Sequence, residues 1–148
     1  MWRIKKLNDL SATEFYEIIK LRIDTFVVEQ NRIYHELDEI DQEAFHVFFI
    51  SELTNEVHAY ARVFEKEDHV SFGRVVTAKK VRGKGYGLKL MKEIMTLCND
   101  QWPSKQIEIE AQEQVVDFYG KFNFIKEGTP FIFEGSLHVE MRYRYENN

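Results

Sequence analysis

The stretch KVRGKGYGLKLM, Lys80 to Met91, gathers Gly83, Gly85 and Gly87 in a chain that has only seven glycines. Glycine is the residue costliest to order, and such spacing marks a backbone that needs positive φ or approaches a ligand closely. The glycines run into LKLMKEIMTL, whose periodicity predicts a helix from Tyr86 to about Asn99 with Leu88, Met91, Met95 and Cys98 inward. A glycine turn feeding a helix start aims unpaired N–H groups at an anion, phosphate above all. Charge agrees with this. From His69 to Lys92 there is no acidic residue, while Arg74, Lys79, Lys80, Arg82, Lys84, Lys89 and Lys92 all fall there. Without the glycines a solvated basic face would be the reading; with them, a small polyanionic ligand is.

Outward from that turn, 148 residues suit a single domain, 1–148, with a hydrophobic fraction of 44% that allows a full core. The formal net charge of −5 argues against a general nucleic-acid or anionic-membrane binder. Cys98 is the single cysteine, so no internal disulfide forms, and it reads as a small core residue. No apolar run approaches the roughly 18 residues of a membrane span. Trp2-Arg3-Ile4-Lys5-Lys6 lacks the form of a signal peptide. A cytoplasmic, reduced setting is expected.

WRIKKL reads as a weak first strand. Ser11-Ala12-Thr13-Glu14 has the capping-box form and opens an amphipathic helix carrying Phe15, Ile18, Ile19, Arg22 and Phe26 to about Val28. Asn31 to Glu43 is expected to be a solvated acidic loop. Its HExx run lacks a second histidine, and no calcium-loop glycine follows Asp38, so no metal is expected. FHVFFISE, VHAYARVFE and VSFGRVVT, with short gaps, predict an antiparallel meander. IEIEA, reached by a helical crossover, should run parallel to the strand before the turn. QEQVVDFYGKF reads as a short helix, Asn123 to Lys126 as a strand, and LHVEMRYRY as the last strand. On that last strand, His138, Glu140, Arg142 and Arg144 occupy the polar face. The class is α+β, one domain around a mixed, mostly antiparallel sheet flanked by helices.

Two phosphate loops fail on spacing. A Walker loop would need Gly at position 78, which is Ala78, and a Ser or Thr where Gly85 stands. A dinucleotide fingerprint would need glycine at Leu88 or Leu90. What remains is Arg82-x-x-Gly85-x-Gly87 between a strand and a helix. This resembles the pyrophosphate loop of the GNAT superfamily of N-acetyltransferases. AQEQVVDFYGKFNF resembles a second signature of that family, with Tyr119 at its tyrosine and Asn123 in place of the usual glycine. LRIDTFVVEQ, YHELDEID before His46, FGRVV and FEGSLHVEM extend the resemblance along almost the whole chain, toward the ElaA-like branch.

The resemblance implies a sheet splayed at an acetyl-CoA site. It implies that Arg82, Gly83, Lys84, Gly85, Tyr86, Gly87 and Leu88 hold the pyrophosphate, with Lys79, Lys80, Lys84 and Lys89 as open choices for further phosphate contact. It places the pantetheine arm against the backbone of Val75, Val76 and Thr77, and Gln112 where many members carry Asn. Acetyl transfer to a primary amine by direct attack on the thioester follows, with Tyr119 as general acid; the other reading of Tyr119 is a core aromatic. Glu29, His46, Arg74, Glu134 and His138 form the candidate acceptor side, and each by itself also reads as a structural group. A non-catalytic CoA-binding protein on the same fold is the alternative function. The acceptor amine stays unidentified, and exposed strand edges allow a homodimer.

Overall fold

A computed structural model of the chain describes residues 1–145. In order, β1 is Trp2–Lys6, α1 Ala12–Arg22, α2 Ile40–Glu43, β2 Phe45–Ile50, β3 Val57–Glu65 and β4 Val70–Thr77. Then come α3 (Tyr86–Gln101), β5 (Glu108–Gln112), α4 (Val116–Gly120), β6 (Phe124–Phe133) and β7 (Ser136–Tyr143). Helix α1 continues as a π-helical segment, Ile23–Glu29. No described helix is long and apolar enough to cross a membrane.

The strands form two antiparallel sheets, β1-β2-β3-β4 and β5-β7-β6. They meet at one parallel bridge, Val70 to Ile107, where the Val70 N–H donates to the Gln106 carbonyl at 2.8 Å. Past this bridge β4 and β5 have no further pairing, so the sheet opens toward Thr77 and Gln112. The expected parallel relation of β5 to β4 is therefore present at one end only, and the α+β class and the splay both hold.

Apolar side chains fix the layers. Val47, Ala61, Val63 and Met141 pack under Leu90, Met91 and Ile94 of α3, while Ile18, Leu21 and Phe26 cover Phe48, Tyr60 and Val76 on the opposite face. The inner face of α3 is Leu90, Met91, Ile94, Leu97 and Cys98; Leu88, expected inside, is 49% exposed. Gly87 sets this phase, because it is the position one turn earlier that meets Phe118, 3.5 Å from where a Cβ would stand. Strand β6 runs seven residues past the expected Lys126, to Phe133. An excursion at Gly128, Thr129 and Pro130, between the Glu127–Glu140 and Phe131–His138 pairs, breaks the alternation that would have shown it.

The capping box forms as read: the Glu14 N–H donates to Ser11 Oγ, and the Ser11 N–H to Glu14 Oε1. Glu14 is also held by Arg3 at 2.7 Å and Lys5 at 3.0 Å, tying β1 to α1. Burial pushes its carboxyl up, but the Ser11 N–H and the two cations outweigh this and bring it to about 2.

The solvated acidic loop is corrected. Glu36 and Asp41 are buried. Arg22 Nε stands 2.5 Å from Glu36 and its Nη1 2.8 Å from Asp41. Arg62 grips Asp38 at 2.6 Å and Asp41 at 3.1 Å, and Arg74 stands 2.9 Å from Glu36. Three guanidinium groups thus face three carboxylates, and charge balance is what lets the loop enter the interior. For Asp41, burial raises the carboxyl, but Arg22 and Arg62 overcome that and hold it at about 2.

Candidate active site

The glycine turn sits at the open end of the splayed sheet. Gly83 and Gly85 adopt φ of +83° and +86°, which only glycine takes without strain, and open space surrounds both. Helix α3 begins at Tyr86, and its first closing bond is the Lys89 N–H to the Gly85 carbonyl at 3.2 Å. Among the described residues the N–H groups of Gly83, Gly85, Tyr86, Gly87 and Leu88 therefore have no acceptor. Unpaired N–H groups at the positive end of a sixteen-residue helix suit a phosphate. The basic island sorts itself by ion pairing. Arg74 is paired with Glu36, Lys80 with Glu56, and Arg82 with Glu29 through two bonds of 2.7 and 2.9 Å. Lys79, Lys84 and Lys89 have no carboxylate partner among the described residues.

Strand β4 supplies the edge. Tyr60 pairs with Val76 and Arg62 with Gly73, so β4 carries an extra residue at Arg74 and Val75. Arg74 takes φ +51°, the left-handed region, as the bulge residue. The bulge turns the strand away from its neighbour and sends the Arg74 side chain to the α1 face of the sheet, where Glu36 receives it. The Ala78 N–H bonds the His58 carbonyl on β3 at 2.8 Å. By strand alternation Val76 also spends its polar groups on β3, while those of Val75 and Thr77 turn to the opening. The Thr77 carbonyl there accepts from Arg82 Nε at 3.3 Å.

Tyr119, on α4, lies beside Phe72 of β4, two residues past the Val70 bridge toward the open side. Its ring packs against Phe72, Phe118 and Phe124 at centroid distances of 5.9, 5.3 and 6.2 Å, and the residue is 7% exposed. Its hydroxyl bonds to no described residue. Burial alone pushes the phenol above its ordinary value of 10.0, so it stays protonated. A protonated, partnerless hydroxyl beside the opening can donate to a group that enters it.

The five candidate acceptor residues do not converge. His46 is buried, with Nδ1 2.6 Å from the Tyr60 hydroxyl and Nε2 2.9 Å from the Asp41 carbonyl; neither nitrogen is open to a substrate. Burial lowers its ionisation below 6.5. Glu29 sits beside the glycine turn on Arg82. His138, expected on a polar face, is buried between Phe131 and Phe133, with Nδ1 2.9 Å from the Ser136 carbonyl. Glu134 occupies the β6–β7 turn at φ +48°, and its carbonyl accepts from Arg32 Nε at 3.2 Å. Arg74 reaches Tyr34 as well as Glu36. Gln112, placed with the cofactor loop by resemblance, bonds Gln30 at 3.3 Å and also accepts from Gln114.

Gln30, Arg32 and Tyr34, to which the sequence reading assigns no site role, thus span the opening from β4 to the second sheet. The alternation Arg32-x-Tyr34-x-Glu36 was the available signal, since an extended segment sets alternate residues to one side.

Residues 7–145 match the family model for the acetyltransferase (GNAT) domain. A UPF0039 protein from Synechocystis is 33% identical over 99% of this chain and 97% of its own. ElaA from Escherichia coli is 31% identical over 95% and 94%, and its crystal structure superposes with a TM-score of 0.90, covering 97% and 99% at 29% identity. An acyl-CoA N-acyltransferase from Pseudomonas aeruginosa gives the same TM-score and coverage at 28% identity. With a splayed sheet, a glycine turn at its open end and sequence kinship over nearly its full length, the chain belongs to the GNAT acetyltransferase family, in the branch that includes ElaA.

Proposed function

We propose that the protein transfers an acetyl group from acetyl-CoA to a primary amine by direct attack of the amine on the thioester. The observation that carries this reading is the row of unpaired N–H groups from Gly83 to Leu88 at the open end of the β4–β5 splay. Open space at the Gly83 and Gly85 Cβ positions leaves room for phosphate oxygens at that row. Lys84 and Lys89 add uncompensated charge beside it. Acetyl-CoA supplies an activated acyl group as its thioester. The outward polar groups of Val75 and Thr77 orient an extended arm as a strand edge does. Tyr119 Oη, which burial keeps protonated until then, gives its proton to the departing thiolate as general acid and regains one from solvent. The acceptor amine must first give up a proton to water in the opening, because a model amine of this kind is ionised up to about pH 10.4.

The test is thermal unfolding with and without acetyl-CoA, followed by thiol release with an amine panel. Ligand at 100-fold over its dissociation constant adds about 2.7 kcal/mol, a rise of roughly 5–10 °C for a domain of this size. Gly85→Trp should lose the rise. No shift at millimolar acetyl-CoA removes the cofactor assignment, and a shift without turnover of any amine favours a CoA-binding protein instead.

A further inference from the structure

Resting on that reading, we infer that the acceptor carries a carboxylate as well as the amine, and that Arg32 receives it. The bridge over the opening is built from Gln30, Arg32 and Tyr34. Gln30 bonds Gln112 at the end of β5, and Arg32 Nε bonds the Glu134 carbonyl in the β6–β7 turn. The Tyr34 ring lies between two cations, with the Arg32 guanidinium 4.4 Å from its centroid and that of Arg74 5.4 Å. Arg74 is the bulge residue of β4, so the stack leads from the outer turn to the strand edge beside the splay.

The two guanidinium groups differ in what surrounds them. Arg74, with Arg22 and Arg62, belongs to the buried set balanced by Glu36, Asp38 and Asp41. Arg32 stands outside that balance. No described carboxylate lies within ion-pair distance of it, and beyond Nε its guanidinium donates to no described residue. It is half-buried, held at Nε and set over an aromatic ring, so the position of its free Nη edge is restrained before any ligand arrives. A planar fork fixed in this way matches a carboxylate with two parallel bonds. A purely cationic acceptor, such as a polyamine, would meet Arg32 as a like charge. A free amino acid and the C-terminus of a peptide both offer the required pair of groups.

The experiment measures thiol release from acetyl-CoA with matched amines: lysine, lysinamide and cadaverine, the other amino acids beside their carboxamides, and a short peptide ending in lysine beside its amidated form. Acceptors with a free carboxylate should show kcat/KM about 10- to 100-fold above their carboxamides, the effect of a bond to a charged group. Arg32→Gln should collapse that ratio toward one, through KM, while Arg32→Lys keeps part of it. Preference for the free amino acid or for the peptide decides which source is used. Carboxamides or cadaverine used as well as the carboxylates, or a ratio unchanged in Arg32→Gln, overturns the inference while leaving amine acetylation standing. Acetyl-CoA bound with no amine turned over overturns both together. Loss of the acetyl-CoA thermal shift in the unaltered protein overturns the cofactor assignment on which both rest.

Discussion

Replacing Tyr119 by Phe removes one oxygen and separates a catalytic hydroxyl from a structural one. The ring contacts with Phe72, Phe118 and Phe124 survive the change. The hydroxyl has no partner among the described residues, so no hydrogen bond is lost with it. The oxygen is not one of the fully buried, unpaired polar atoms among the described residues, so its removal should leave stability within about 1 kcal/mol of the original. Activity should move the other way. A positioned general acid contributes about 10²–10⁴-fold, equal to roughly 3–5 kcal/mol of barrier. Urea unfolding and thiol release on the same preparation give both numbers. The fall in kcat should be equal at pH 7 and pH 9, because burial holds the phenol protonated above its ordinary 10.0. A kcat within threefold of the original refutes the acid role. A stability loss above about 1 kcal/mol refutes the partnerless hydroxyl and returns Tyr119 to the core.

Asp41→Asn leaves Arg22 and Arg62 short of one carboxylate and should destabilise by about 3–5 kcal/mol, read from urea midpoints. Asp41 ionises at about 2 instead of 3.8, so its charge-linked contribution is complete above pH 3.8 and fades as pH falls toward 2; the gap between the two proteins should narrow, by up to about 2.4 kcal/mol, over that window. His46 is buried and its folded value lies below 6.5, so the unfolded chain takes up the proton first, and stability should fall as pH drops from 7 to 5.5. Substituting His46 by Gln should flatten that slope. Glu29→Gln releases Arg82 from an exposed pair, which should leave the urea midpoint essentially unchanged. The same change should tighten acetyl-CoA binding in calorimetry, since the guanidinium no longer chooses between carboxylate and phosphate.

What the sequence could reveal follows the range of each interaction. The capping box and the glycine turn are local: Ser11 and Glu14 meet within one turn, and Gly83 and Gly85 take a backbone region that favours glycine, so both were readable. Tyr119 is singled out by its motif alone, since a tyrosine packed on Phe72, Phe118 and Phe124 otherwise has the surroundings of any core aromatic, and its role rests on the phenylalanine substitution above. The acidic loop was misread because its counterions come from α1, β3 and β4, and no local pattern announces that Arg22, Arg62 and Arg74 will converge on it. The bulge was hidden for a related reason. Nothing in an arginine signals φ +51°, and only its reach to Glu36 and Tyr34 makes that conformation worthwhile. His138 was assigned to the wrong face because Phe131 and Phe133, which enclose it, lie beyond the excursion that concealed the length of β6.

The single bridge at Val70 and Ile107 also bears on cooperativity. Each half-sheet is hydrogen-bonded within itself and little backbone bonding crosses between them, so the facing edges of β4 and β5 should exchange faster than the core the two halves share beneath α3. A molecule lying between β4 and β5 would lend each edge the partner it lacks. Amide exchange should therefore slow together on both sides of the opening when it is filled, while the shared core beneath α3 keeps its protection.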